Sequence, residues 1–140
     1  MLLISVSMFL GSILSGSVEI QNFMSNNIGN NFPFWAMIIL LPLIVWIFGL
    51  IGIHPIITSA PILSLFGPLL SLWEAAFLMQ AHLIGWCAGT ATSFTSLSVL
   101  TTAENFRLHI SKLVLGPNLF ATGCLTFIGA ILLITLNYLL

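Results

Sequence analysis

Apolar and polar positions fall in long blocks along this chain, without the two-residue alternation of a half-buried strand. Met1 to about Ser17 is apolar with interspersed Ser and Gly. It reads as a helix slightly short of a full span, with small residues where a neighbouring backbone can approach. Val18 to Asn31 is the longest polar section, and within it Ile20, Phe23, Met24 and Ile28 recur at roughly helical spacing. That spacing predicts a short amphipathic helix at an interface, turning at Gly29. Phe32 to Gly52 has no charged side chain, carries Trp35 near one end and Pro42 in its middle, and is the clearest spanning run. Pro42 should kink it. Ile53-His54-Pro55-Ile56 then interrupts the run, because a residue before proline is turned away from the α conformation.

Pro55 to Phe66, ended by Gly67-Pro68, is too short to span and reads as half of a re-entrant hairpin or discontinuous helix. Ser71-Leu72-Trp73-Glu74 is a capping-box pattern that starts the next helix. Gly89 to Thr102 carries eight hydroxyl side chains in fourteen residues between apolar flanks, and its first part, to Ser96, is expected to unwind. Gly116-Pro117-Asn118 opens the last helix, with Gly123 and Gly129 as close-packing points and Tyr138 at the far interface. The expected spans or half-spans are 1–17, 33–53, 55–67, 71–88, 95–105 and 117–140.

Composition identifies the solvent for these blocks. Hydrophobic residues make up 59% of the chain, charged residues 4%, and the mean hydropathy is +1.21. A soluble domain is about one-quarter charged, so the expected class is an all-α membrane protein. It reads as one polytopic domain over 1–140 with re-entrant or discontinuous helices. The charged side chains are Glu19, Glu74, Glu104, Arg107 and Lys112, for a net charge of −1. Such a balance offers no electrostatic footprint for nucleic acid. Arg107 and Lys112 form the only basic cluster, so the loop 104–112 is expected on the cytoplasmic side and the C-terminus opposite. The N-terminal run lacks the positive start of a signal peptide and is taken as a spanning or partial helix. The bacterial inner membrane is the expected location. Cys87 and Cys124 have no metal-ligand spacing and read as small packing residues. The sequence carries neither H-E-x-x-H nor G-x-S-x-G, and an enzyme is not expected.

Broken helices carry the functional expectation. Unpaired backbone groups cost several kcal/mol in hydrocarbon, so an interruption at membrane depth survives where protein, water or a ligand satisfies it. Two interruptions, at His54-Pro55 and at Gly89 to Ser96, are the pattern of a secondary transporter. Half-helix N-termini there offer N–H groups to a small anionic solute, and hydroxyls and freed carbonyls offer oxygens to a cation such as Na⁺. The candidate solute- or ion-binding residues are His54, Thr58, Thr92, Ser93 and Thr95. His54 has two readings, a helix-end side chain bonded to a carbonyl or a ligand for solute or proton. His82, with Gln80, reads as packing against a partner helix. His109 belongs to an exposed loop, Glu74 to a cap, and Trp46, Trp73 and Trp86 to packing or interface anchoring.

The order of these parts — helix, amphipathic loop, Pro-kinked span, broken segment, capped helix, hydroxyl-rich unwound segment, basic loop, last span — resembles the C-terminal repeat of the ion transporter superfamily, which contains the divalent anion/sodium symporters. The likeness covers nearly the whole chain by pattern. Ile53-His54-Pro55 stands where that family has Ser-Asn-Thr, and Ser93-Phe94-Thr95 stands near its Ser/Thr-Pro motif. The resemblance implies a Na⁺- or H⁺-coupled anion carrier with rocking or elevator-type alternating access. It also implies that the chain is one half of an inverted-repeat transporter, completed by a second repeat or subunit, including a homodimer. The rival expectation is a non-transporting membrane scaffold or assembly subunit whose hydroxyls hold helices together.

Overall fold

In a computed structural model, residues 2–29, 32–53 and 55–139 are described, and among them there are helices and no strands. The helices are α1 (Leu2–Gly16), α2 (Val18–Met24, continued by a π-helical turn Ser25–Gly29), α3 (Phe34–Leu50), α4 (Pro55–Phe66, continued by a 3₁₀ turn Gly67–Leu69), α5 (Leu72–Thr92), α6 (Leu97–Asn105), α7 (Ile110–Val114) and α8 (Pro117–Leu139). Two stretches are long and apolar enough to cross a membrane: Leu72–Asn105, which contains α5, and Ile110–Leu139, which contains α8. α3 and the stretch Ile57–Leu69 are shorter apolar helices.

Local chemistry accounts for the helix ends. The Ser71 hydroxyl accepts from the Glu74 N–H at 3.3 Å, and the Glu74 carboxylate accepts from the Ser71 N–H at 2.9 Å, which completes the capping box at the start of α5. α4 and α8 each begin with a proline, a residue whose missing N–H is an orphan at that position anyway. Ser17 caps α2 through the Ile20 N–H at 3.5 Å.

Helix α5 is the hub. Its buried residues Phe77, Leu78, Ala81, His82, Gly85, Ala88, Gly89 and Thr92 form one stripe at three- and four-residue intervals. The stripe receives α3 on one side and α8 on the other. Ile38 meets Phe77 and Ala81 in one core cluster, Pro42 lies against Gly85, and Gly49 lies against Gly89, so α3 and α5 run parallel. α4 returns the chain between them. α8 runs the opposite way, with Gly123 against the Trp46 ring and Leu133 back at Ile38 and Phe77. α1 packs along α4, and the Gln21 amide donates to both the Leu14 and Ser64 carbonyls at 3.4 Å.

The α3–α5 crossing is a backbone-to-backbone contact. A Cβ on Gly85 would stand 2.6 Å from Pro42 Cα and 2.7 Å from the Pro42 carbonyl oxygen; one on Gly49 would stand 2.7 Å from Gly89 Cα. Gly85 and Gly89 are four residues apart, a G-x-x-x-G pattern that lets two helix axes approach closely. Here the structure differs from the expectation that unwinding starts at Gly89. α5 stays helical to Thr92, because Gly89 and Ala88 are buried packing residues within the stripe. Outward faces remain apolar: Ile47, Phe48, Met79, Leu83, Phe120, Phe127 and Ile131 are all exposed.

Gly85→Ala and Gly49→Ala are therefore expected to destabilise the bundle by about 1–3 kcal/mol each, the cost of forcing extra volume into a packed contact. Gly16→Ala, with open space around the added methyl, should change stability by less than about 1 kcal/mol and in the stabilising direction. Thermal unfolding in detergent, comparing the three variants, checks both.

Candidate functional site

The two interruptions come together at one end of the bundle. α3 closes in a Schellman motif: the Ile53 N–H donates to the Phe48 carbonyl and the Gly52 N–H to the Gly49 carbonyl, each at 3.0 Å. Gly52 takes φ +91°, a left-handed conformation open to glycine without Cβ strain. α5 ends differently. Ser93 steps directly into extended backbone, φ −75° and ψ 131°, and α6 does not begin until Leu97. The segment 93–96 thus separates α5 from α6.

A short relay of hydroxyls joins the two breaks. The Thr95 hydroxyl donates to the Gly52 carbonyl at 3.3 Å. With its proton so placed, it accepts from the Ser93 hydroxyl, 3.1 Å away. The Thr95 N–H in turn donates to Ser93 Oγ at 3.3 Å, and the Ser96 N–H closes a turn on the Ser93 carbonyl at 3.2 Å. The Thr95 methyl lies 3.3 Å from where a Cβ on Gly52 would stand. We call this contact the joint. Four helix ends converge near it: the C-terminal, carbonyl-bearing ends of α3 and α5, and the N-terminal, N–H-bearing ends of α4 and α6.

Of the sequence-level candidates, Ser93 and Thr95 are brought to the joint. Thr92 is one residue away, fully buried in the helix stripe, and its hydroxyl donates to its own Ala88 carbonyl at 2.8 Å. Thr58 sits in the first turn of α4 and donates to the Pro55 carbonyl at 2.9 Å, an acceptor it shares with Ser59. His54 lies outside the described residues. Among the described residues, Thr95 is the hydroxyl of the 89–102 stretch that reaches another element; Thr90, Thr101 and Thr102 bond back to carbonyls of their own helices.

No family model, curated protein or solved structure matches this chain. The site is accordingly described by its own groups.

A small cavity of about 190 Å³ lies between the end of α5, α6, α7 and the start of α8. Ala91, Val99 and Leu113 form its apolar wall, and Ser98, Thr102 and Asn118 its polar one. Asn118 was foreseen only as a residue opening α8. The signal that could have found it is its place in the first turn of a long helix, directly after Pro117. A larger cavity, about 290 Å³, lies towards the starts of α3 and α5 among Met37, Leu41, Ile62, Phe66 and Leu78. It is wholly apolar and offers nothing to a polar solute.

His82 stands apart from the joint, about halfway along α5. It is 3% exposed, its ring meets Trp86 edge-on at 5.6 Å, and its Nδ1 has no hydrogen-bond partner among the described residues. Gln80, read with it as packing, is instead exposed. Side chains two apart on a helix point to different faces, so the pair could not share one partner. His109 is exposed at the start of α7 and bonds Ser111 Oγ at 3.2 Å, as its loop position implied.

Thr95→Val keeps the shape of the side chain and removes its link to Gly52. It should lower stability by about 1 kcal/mol and speed amide exchange at residues 51–53 and 93–97. Thr95→Ser should keep both near the native values. Hydrogen–deuterium exchange read by mass spectrometry resolves these segments; equal protection in Thr95→Val would show that the relay does not hold the joint closed.

Proposed function

We propose that this chain is an integral membrane carrier subunit that binds a small anion at the joint and moves it with Na⁺ or H⁺. The observation that carries the reading is the meeting of two helix interruptions through Thr95 and Gly52. The broken α3–α4 and α5–α6 pairs bring opposite ends of helix dipoles to one place. N–H groups at the starts of α4 and α6 suit an anion, and carbonyls at the ends of α3 and α5, with the Ser93 and Thr95 hydroxyls, suit a cation. The cavity between α5, α6, α7 and α8, lined in part by Ser98, Thr102 and Asn118, is room for a few heavy atoms of solute.

Lipid as the solvent is supported by the two apolar helices of sufficient length and by the mostly apolar exterior of α3, α5 and α8, on which Gln80 and Thr135 are polar exceptions. In a bilayer with a hydrocarbon core about 30 Å thick, α5, about 31 Å long at 1.5 Å per residue, reaches from one face to the other. The joint at its end then stands near one face, open to water from that side, and not at the membrane depth that the sequence pattern implied, because α5 runs unbroken to Thr92. Such a position suits the access end of an alternating-access path. His82, at the middle of α5, then lies close to the centre of the slab. On this reading the chain supplies one half of a carrier, and a second copy or a second subunit supplies the other half.

The rival reading, a scaffold subunit, draws on the glycine-mediated contact of α3 with α5 and on the many hydroxyls that bond within their own helices. Reconstituted protein separates the two. With a Na⁺ or proton gradient across proteoliposomes, succinate or sulfate uptake is expected. Ser93→Ala or Thr95→Val should reduce it about tenfold, the loss of one well-placed hydrogen bond to a charged group. Cysteine introduced at position 95 should react with water-soluble thiol reagents and be protected by the transported anion, while cysteine at the buried position 92 should be inert in both states. Absence of gradient-driven uptake, together with reactivity at position 95 indifferent to either anion, favours the scaffold.

A further inference from the structure

The turn that joins α6 to α7 carries features that the carrier reading does not use. α6 ends, as α3 does, in a Schellman motif: the Arg107 N–H donates to the Glu104 carbonyl at 3.2 Å and the Leu108 N–H to the Ala103 carbonyl at 2.9 Å. The residue in the left-handed position is Gly52 at the end of α3, but Arg107 at the end of α6, with φ +52°. Glycine is the unstrained residue there. The chain thus holds a guanidinium at a backbone position where glycine would be free of Cβ strain.

The surroundings of Arg107 show what it could serve. Arg107 and Lys112 are the only basic residues of the chain, and both are exposed. Glu104 is the one acid near them, so residues 104–112 carry a net charge of +1, while the rest of the chain carries Glu19 and Glu74 alone. Neither cation makes an ion pair among the described residues. Between and beside them, large apolar side chains stand in the open: Phe106 is 71% exposed, Leu108 47% and Leu115 59%. α6 and α7, of 9 and 5 residues, are too short to cross a bilayer and lie at the end of the bundle where α5 stops and α8 begins. Cations interleaved with exposed bulky apolar groups suit the boundary of a bilayer, where the rings and leucines enter the acyl edge and the charges remain among headgroups. A guanidinium matches a phosphate in a two-point hydrogen bond.

We propose that Phe106, Arg107, Leu108, Lys112 and Leu115 form a docking surface for anionic phospholipid, which holds the α6–α7 turn against one leaflet beside the joint. The charge complementarity selects a negatively charged headgroup over a zwitterionic one, and the exposed apolar residues select a lipid over a free anion. The proposal rests on the membrane reading given above but not on transport.

The test uses the full chain purified in a neutral detergent, with binding of dihexanoyl phosphatidylglycerol, dihexanoyl phosphatidylcholine and inorganic phosphate followed by microscale thermophoresis. Phosphatidylglycerol should bind more tightly than phosphatidylcholine by about fivefold for each basic side chain engaged, and the preference should shrink as salt is raised. The double variant R107Q/K112Q should abolish it. R107G, whose glycine suits the same left-handed turn and so keeps the fold, should lose about fivefold, and R107K should retain most of the preference. F106S/L108S should weaken both lipids alike. Equal binding of the two lipids, a preference that survives R107Q/K112Q, or inorganic phosphate binding as tightly as phosphatidylglycerol would each overturn the proposal. A chain that inserts into phosphatidylcholine vesicles and resists carbonate extraction, yet shows no headgroup preference, leaves the membrane reading standing and removes the docking surface. A chain that stays monodisperse in detergent-free buffer removes both.

Discussion

Close backbone contact between α3 and α5 is the constraint on which the rest of the structure depends. Gly49 against Gly89, and Gly85 against Pro42, allow two parallel helices to lie nearer than any pair of Cβ-bearing residues would permit. On the membrane reading, apolar side chains alone would not align helices so closely, because in hydrocarbon burial of one alkyl group against another gains little over burial against lipid. Van der Waals packing of main chain on main chain is what remains, and it demands glycine at specific positions. The same contact sets the register of the helix ends. With Gly49 fixed on Gly89, the chain leaves α3 at Gly52 within reach of the chain leaving α5 at Thr95, and the hydroxyl relay follows from that register.

The relay is weak in isolation. A single neutral hydrogen bond contributes on the order of 1 kcal/mol, and its geometry at 3.3 Å is long. Its significance is positional, since it links two segments that have each left their helices. Most of the remaining hydroxyls are occupied inside their own helices: Thr92 on Ala88, Thr122 on Asn118, Thr126 on Thr122. A run of serine and threonine therefore does not translate into a run of ligands. Position relative to the helix end decides which hydroxyl is free to turn outward.

Much of the helix pattern was legible in the residues. The capping box at Ser71 and Glu74, the breaks at Pro55 and at Gly67-Pro68, the amphipathic turn after Ser17 and the long last helix all have local chemical causes, and local causes can be read from a sequence. The end of α5 was harder to read. Gly89 looks like a breaker by propensity, yet tertiary contact with Gly49 turns it into a packing residue, and the helix runs on to Thr92. Gly85-x-x-x-Gly89 contained that information, as a spacing and not as a composition. The pairing of the two breaks was legible only as a suspicion, because it depends on the parallel course of α3 and α5 and on the short return of α4. The cavity beside Asn118 was illegible for a similar reason: its walls come from four helices brought together by the fold.

The short return helix has one more consequence. At about 1.5 Å per residue, α1 and α4 extend only some 18–23 Å, and the 3₁₀ turn after α4 adds about 6 Å at 2 Å per residue, while α5 and α8 extend about 31–35 Å. The two short helices pack side by side, so the bundle is thin along one flank and thick along the other. A bilayer of uniform depth cannot match both flanks at once. On the membrane reading, lipid next to α1 and α4 would dimple inward, at a fraction of a kcal/mol per ångström of mismatch, and that deformation would be relieved if two thin flanks faced each other. Hydrophobic mismatch, acting through the lipid and requiring no shaped contact, would on that reading favour the thin flank as the side that meets a neighbour.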